Sequence, residues 1–302
     1  MAFALGGVLD PEKIAGHETL LRTVFTIAFF GFGVKAALLP MSAWLPAASV
    51  APTPVTALLH AVAVVKAGAF ACIRLTYYSF GTELLSGTFA QYIPQAAAAA
   101  TVVTGSFLAL RQNHLKRRLA WSTVSNLSYI LIGVTAMTPA GLAAGTMHMV
   151  YHAFVKITLF FCVGAVMVKT GNDYLDQIEG LAKRMPVTFA CFTVAGLALI
   201  GLPPLPGFFS KWLLGTAAAA LDTPLGYISM GALIVSATLT ALYIITPITS
   251  ACFPIGGHSA DMYGPSHETR LMGTPIVVLT VCIVLLGLCS GTVYGIITGW
   301  LM

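Results

Sequence analysis

In the stretch MHMVYHAFVKITLFF, residues 147–161, His148, His152 and Lys156 fall at i, i+4 and i+8 and so share one face of a helix. Imidazoles and an amine in that series, inside an apolar run, are groups that can take up and release protons in turn. An amine held out of water gives up its proton more readily, which fits it for exchange near neutral pH. Lys35, Lys66 and Lys211 stand in comparably apolar surroundings, and His60 and Arg74 are secondary candidates. His60 lies six residues before Lys66, nearly opposite it on a helix, so the two are not expected to communicate directly. The His148/His152 spacing also suits a metal ion. No Glu or third ligand accompanies the pair, so no metal is expected.

The distribution of charge sharpens the question. All ten acidic residues lie outside the apolar segments, whereas five bases, Lys35, Lys66, Arg74, Lys156 and Lys211, lie inside them. A lysine centred in a bilayer costs about 2.5–3.5 kcal/mol on insertion scales. Arg74, close to a segment end, can reach the interface with its head group. Lys66 and Lys156 sit too near the middle of their segments for that. Lys35, ahead of Pro40, and Lys211, after GLPPLPGFFS, can instead pair with carbonyls freed by a broken helix. Such a break is tolerated at membrane depth only where it is buried in protein or lines a wet cavity. Both readings lead to an internal aqueous path.

The elements that position these groups follow from composition. Hydrophobic residues make up 58% of the 302 and charged residues 8%, far below the roughly one quarter that a soluble surface needs. The lipid bilayer is therefore the expected solvent. A net charge of +5 without a basic, aromatic-laced patch argues against nucleic acid. The six cysteines are scattered singly in apolar runs and read as core residues, and no cysteine cluster or dinucleotide fingerprint points to a cofactor. Eight continuous apolar segments reach spanning length: 23–45, 54–79, 92–111, 118–136, 140–168, 187–217, 225–252 and 273–298. The expected fold is thus an all-α integral membrane protein of about eight transmembrane helices, two of them broken at prolines.

Arg111, Lys116, Arg117 and Arg118, then Lys169, Lys183 and Arg184, and finally Arg270 all fall on one face, which the positive-inside rule makes cytoplasmic. Both termini are then non-cytoplasmic. The first 22 residues, polar and mixed in charge, do not read as a signal or transit peptide. Proline-interrupted segments around Lys35 and Lys211 suggest repeated units. On that reading 1–22 is a polar N-terminal segment, 23–79 the remnant of a first repeat, 92–252 a complete second five-helix repeat, and 253–302 a loop and final span.

Five stretches carry a family likeness: GFGVKAALLPMSAWLP, APTPVTALLHAVAVVKAGAF, LKRRLAWSTVSNLSYILIG, MVYHAFVKITLFF and GLPPLPGFFSKW. In this order they resemble the antiporter-like, proton-translocating membrane subunits of respiratory complex I, membrane-bound hydrogenases and Mrp-type cation/proton antiporters, over about residues 25–220. The resemblance implies helices seven to fourteen of a fourteen-helix fold. It assigns Lys35 to the broken seventh helix, Lys66 to the eighth, His148, His152 and Lys156 to the eleventh, and Lys211 to the broken twelfth. It further implies that Lys35 lacks its usual glutamate unless another chain supplies one. His114 stands where the family commonly has an acid, which leaves a loop ion pair in doubt. The chain shows no long lateral helix of the kind found in the largest complex I homologue, which leaves the Mrp-like and hydrogenase-like versions open.

The expected function is proton, or Na+/H+, translocation by a subunit or split half-subunit of a multisubunit complex in a bacterial or archaeal cell membrane. Its expected partners are other membrane subunits, one of them supplying the missing helices and a buried Glu. Redox chemistry would sit on those partners. Two other readings stand beside it: a non-conducting structural module, and a self-contained transporter that uses the lysines as counter-charges for a small anion.

Overall fold

The computed structural model describes residues 16–253 and 270–301. Residues 1–15 of the polar N-terminal segment and 254–269 of the loop before the last span lie outside the described residues. The chain is helical, and among the described residues the one strand-like pairing is an isolated bridge between His114 and Tyr174. The principal helices are α1 (Glu18–Lys35), α2 (Thr53–Ala61), α3 (Val64–Arg74), α4 (Phe89–Leu110), α5 (Leu115–Thr135), α6 (Pro139–Thr170), α7 (Pro186–Ile200), α8 (Pro206–Ala219), α9 (Pro224–Cys252), α10 (Arg270–Leu288) and α11 (Ser290–Leu301).

Their boundaries have local causes. Helices α6, α7, α8 and α9 each open on proline, whose missing N–H would be unpaired there in any case. The Thr138 and Thr223 hydroxyls accept from the Gly141 and Gly226 amides, both at 3.1 Å. Gly171 and Gly201 close α6 and α7 with φ of 73° and 96°, a conformation costly to a residue with a Cβ.

Five stretches are long and apolar enough to cross a membrane: Thr53–Phe80, Phe89–Leu110, Pro139–Thr170, Pro224–Cys252 and Leu271–Leu288. At the other three expected spans the helices are charged or short. Helix α1 carries Glu18, Arg22 and Lys35, α5 opens on Lys116, Arg117 and Arg118, and α7 and α8 are 15 and 14 residues long, separated by Gly201–Leu205.

The stretch expected as one even helix over 54–79 is interrupted where the sequence holds neither proline nor glycine. The Val62 and Ala63 amides both reach back to the Leu58 carbonyl, at 3.1 and 3.0 Å, so one turn widens and the ladder restarts at Val64. Lys66 therefore sits in the first turn after a discontinuity. Gly68 lets α3 approach the end of α1, since a Cβ there would stand 2.6 Å from the Ala36 nitrogen.

Helix α6 is the hub and touches α2, α5, α7, α8, α10 and α11. Its start is anchored on one apolar cluster around Tyr129, Leu142 and Ala144 and its end on another around Val155, Leu159 and Phe160. The bridge at His114 fastens the loop before α5 to the segment after α6, through Leu115 N–H to Asp173 O at 2.9 Å and Leu175 N–H to Asn113 O at 3.0 Å. His114 also caps α5, its Nδ1 accepting from the Lys116 amide at 3.2 Å. Partial burial, followed by the nearby Arg117 and Lys116 charges, holds this imidazole below its ordinary pKa against the pull of Asp173, which preserves Nδ1 as an acceptor. The residue standing where an acid was expected thus serves as a neutral cap.

Candidate functional site

The face of α6 that carries His148, His152 and Lys156 is turned fully inward: their side chains are 3%, 2% and 0% exposed. From α3, Lys66 extends its amine to within 2.5 Å of His152 Nδ1. The His152 and His148 rings lie nearly parallel with centroids 6.0 Å apart. His148 Nδ1 pairs with the Ser210 hydroxyl at 3.0 Å, and its ring stacks on Tyr129 of α5 at 5.3 Å. The opposite face of this neighbourhood is closed by Lys211, whose amine lies 5.1 Å from the Tyr129 ring centroid. Lys66, His152, His148, Tyr129 and Lys211 thus form one contact series across α3, α6, α5 and α8.

Both ends of the series open to clefts. Lys66, Val62, Phe70, Met149 and Phe154 line a groove of about 430 Å³ between α3 and α6. Lys211, Tyr129, Phe208, Trp212 and Met230 line another of about 320 Å³ between α8 and α9. At the inner end of the second, Lys211 donates to the Leu199 and Ile200 carbonyls at 2.6 and 3.0 Å. These are the carbonyls freed where α7 stops, so the break and the lysine satisfy each other. The lysine is nevertheless half-buried at a cleft wall rather than sealed in.

Lys156, one turn past His152, branches from the series. Its amine donates to the Leu119 carbonyl at 2.9 Å and to the Ser122 hydroxyl. His60 is buried but separate, with Nε2 at 3.2 Å from Ser49 Oγ and its ring on Phe160 at 5.1 Å. Arg74 is exposed over the Tyr78 ring, 5.8 Å from its centroid. Lys35 is exposed at the last turn of α1 and does not join the buried series.

Three histidines each keep one buried ring nitrogen without a protein partner: His60 Nδ1, His148 Nε2 and His152 Nε2. A buried polar atom left so costs about 1–3 kcal/mol unless water or a passing proton engages it. No group of three metal-ligating side chains gathers among the described residues. The arrangement brings amines and imidazoles, groups that take up and release protons, into one buried series.

Sequence reasoning missed Ser122, Tyr129 and Ser210, the uncharged residues that join one helix to the next. One signal was available: in RRLAWSTVSNLSY, Arg118, Ser122, Asn126 and Tyr129 stand at i, i+4, i+8 and i+11, a polar stripe inside an apolar span.

Residues 8–256 match the family described as NADH:quinone oxidoreductase/Mrp antiporter, TM. The chain is 36% identical over 296 residues to NADH-quinone oxidoreductase subunit N of Desulforudis audaxviator, covering 93% of this chain and 57% of that protein. It is 30% identical to a probable K(+)/H(+) antiporter subunit of Rhizobium meliloti, covering 97% of this chain and 29% of that one. Among solved structures, a chain of the Mrp complex from Dietzia sp. DQ12-45-1b superposes with a TM-score of 0.83 at 24% identity, over 98% of this chain and 60% of that chain. A chain of the membrane-bound sulfane sulfur reductase, an archaeal respiratory membrane complex, does so with a TM-score of 0.81 at 28% identity, over 93% and 55%. The chain therefore spans little more than half of the first relative and under a third of the second.

Proposed function

The chain belongs to the NADH:quinone oxidoreductase/Mrp antiporter transmembrane family, and from that membership we propose that it is a proton-translocating subunit in which protons pass laterally from Lys66 to Lys211. The observation that carries this reading is the contact series Lys66–His152–His148–Tyr129–Lys211 with a cleft at each end. Amines and imidazoles bind H+ and repel Na+, so the proton is the ion of this route. The Tyr129 ring separates His148 from Lys211, and a water in the cleft completes that last step. Lys156 supplies control. At one helical turn from His152, a second positive charge is disfavoured by about 3 kcal/mol at an effective dielectric of 20, so the two sites alternate in occupancy.

In this reading residues 92–252 form one complete repeat, and the helices flanking Gly201–Leu205 make one proline-broken span of an eight-span protein. Lys211 then faces the non-cytoplasmic side, where both termini lie. Lys66 supplies the other end of the route from a groove on the chain's outer surface. Lys35 is exposed near that surface, and among the described residues no carboxylate of this chain pairs with the amines there. Another polypeptide of the complex covers this face and brings one. Carbodiimide treatment of the purified complex should join Lys35 to a carboxylate on a companion chain, read by mass spectrometry. Joining only to this chain's own acids, or to none, removes the companion.

Replacing the middle of the series tests the route itself. His152→Leu keeps the volume of the side chain and severs Lys66 from His148. Transport by the assembled complex in sealed vesicles should fall by about 10²-fold, the scale of a lost proton-transfer group. Full transport by an assembled His152→Leu complex refutes the relay.

A further inference from the structure

The α5 stripe holds a buried cation that the lateral series does not use. Arg118 is 4% exposed, and among the described residues no carboxylate faces it. Its guanidinium donates to three backbone carbonyls: Gln112 at 2.8 Å, Tyr243 at 2.9 Å and Leu110 at 3.2 Å. These bonds tie the end of α4, the loop before α5 and the middle of α9 into one collar.

Behind the collar lies a buried polar cluster. Ser122, one turn along α5, receives the Lys156 amine. Asn126, a turn further, donates to the Ser122 carbonyl at 2.7 Å and leaves its Oδ1 without a partner. The Tyr243 ring is fully buried, with its hydroxyl beside Ser122, Asn126 and Thr240. The Asn126 and Tyr243 oxygens, next to the hydroxyl that receives the Lys156 amine, extend the polar contacts of Lys156 toward the collar. The loop of residues 111–114, paired to Asp173 and Leu175, covers the end of α5 nearest this cluster, on the face where the bases accumulate.

We propose that Arg118 is an electrostatic seal: its fixed positive charge closes the loop end of this polar cluster, so that Lys156 exchanges protons only with the lateral series and not with the bulk behind it. Collar packing alone would be met by a neutral donor, without burying an unpaired charge. A guanidinium does not lose its proton in a protein, so the barrier holds at every working pH. Two unit charges about 6 Å apart at an effective dielectric of 20 repel enough to lower the occupancy of the second by about a hundredfold. Fixed arginines bar protons in other narrow polar passages by the same physics.

The inference rests on the lateral relay for its purpose, but its test does not require turnover. It is made on the whole complex in sealed liposomes, reading the passive proton leak under an imposed potential with a pH-sensitive dye. Arg118→Gln should raise the leak by about tenfold or more, whereas Arg118→Lys, which keeps the charge but not the three-carbonyl geometry, should stay within about twofold of the parent. Adding Tyr243→Phe to Arg118→Gln should lower the leak again. A tight Arg118→Gln complex overturns the seal, and so does an Arg118→Lys complex as leaky as Arg118→Gln, which would make the collar a matter of packing. If Arg118→Gln does not assemble, citrulline in place of Arg118 decides, since it keeps the shape and most of the carbonyl-facing donors and loses the charge: a raised leak supports the seal and an unchanged one overturns it. Loss of transport in His152→Leu with a tight Arg118→Gln complex would leave the relay standing and remove the seal alone.

Discussion

Lys211→Ala should stop coupled transport in a complex that still contains every subunit, and Lys156→Ala should do the same. The two losses have different origins. Lys211 is the last amine before the cleft between α8 and α9, so without it the series ends at His148 and the Tyr129 ring. Lys156 lies off the direct line, held by Leu119 and Ser122, and in the proposed route its removal would abolish the charge that makes His152 release its proton. Their stabilities should diverge too. Lys211→Ala leaves the Leu199 and Ile200 carbonyls unpaired, at about 1–3 kcal/mol for each buried group. Lys156→Ala removes a buried charge together with its bonds, so the two changes largely offset. Lys211→Gln separates function from structure: its amide can donate to a freed carbonyl and restore thermal stability, yet it carries no exchangeable charge and should leave transport at the level of the alanine variant. Proton uptake in sealed vesicles and subunit composition on native gels measure the two quantities. Transport above a tenth of the parent in an assembled Lys211→Gln complex would take the residue off the route.

How much of this was legible beforehand depends on what marks each feature in the sequence. Prolines and capping threonines mark helix ends through local chemistry, so the starts of α6, α7, α8 and α9 could be read directly. The helical stripe of His148, His152 and Lys156 follows from periodicity alone. The interruption at Val62 and Ala63 has no such mark, because apolar β-branched residues and alanine are equally at home in an unbroken helix; tertiary packing around α3 sets it. The link between Lys66 and His152 spans 86 positions and depends on how α3 lies against α6, which no spacing within either helix encodes. Nor does spacing separate Lys35 from Lys66. Both are lysines in apolar runs, and only the packing of α1 against α3 at Gly68 shows that one side chain is exposed and the other is turned inward. Proline breaks beside both Lys35 and Lys211 make pairing with freed carbonyls open to either, and Lys211 is the one whose amine makes such bonds.

Gly207→Ala should damage the protein severely. The last turn of α7 and the first turn of α8 cross at this residue, and a Cβ on Gly207 would overlap the carbonyl of Ala198, a backbone atom that cannot rotate aside. Gly201 stands on the other side of the break with φ of 96°, so the backbone there has little freedom to absorb a shift. Forcing the two turns apart should cost about 3 kcal/mol, the upper end of the usual range for overpacking. It should also move the Leu199 and Ile200 carbonyls away from Lys211, since those carbonyls belong to the turn that must retreat. The expected result is a lower midpoint in thermal unfolding of the solubilised complex, together with weakened transport in whatever fraction assembles. Gly215→Ala is the control on the same helix. Nothing lies within 4 Å of a Cβ there, so the methyl should be neutral or favour α8 by about 1 kcal/mol through helix propensity. If both alanine variants unfold together with the parent, the close crossing of α7 and α8 does not hold Lys211 in place, and the cleft loses the element that forms its inner end.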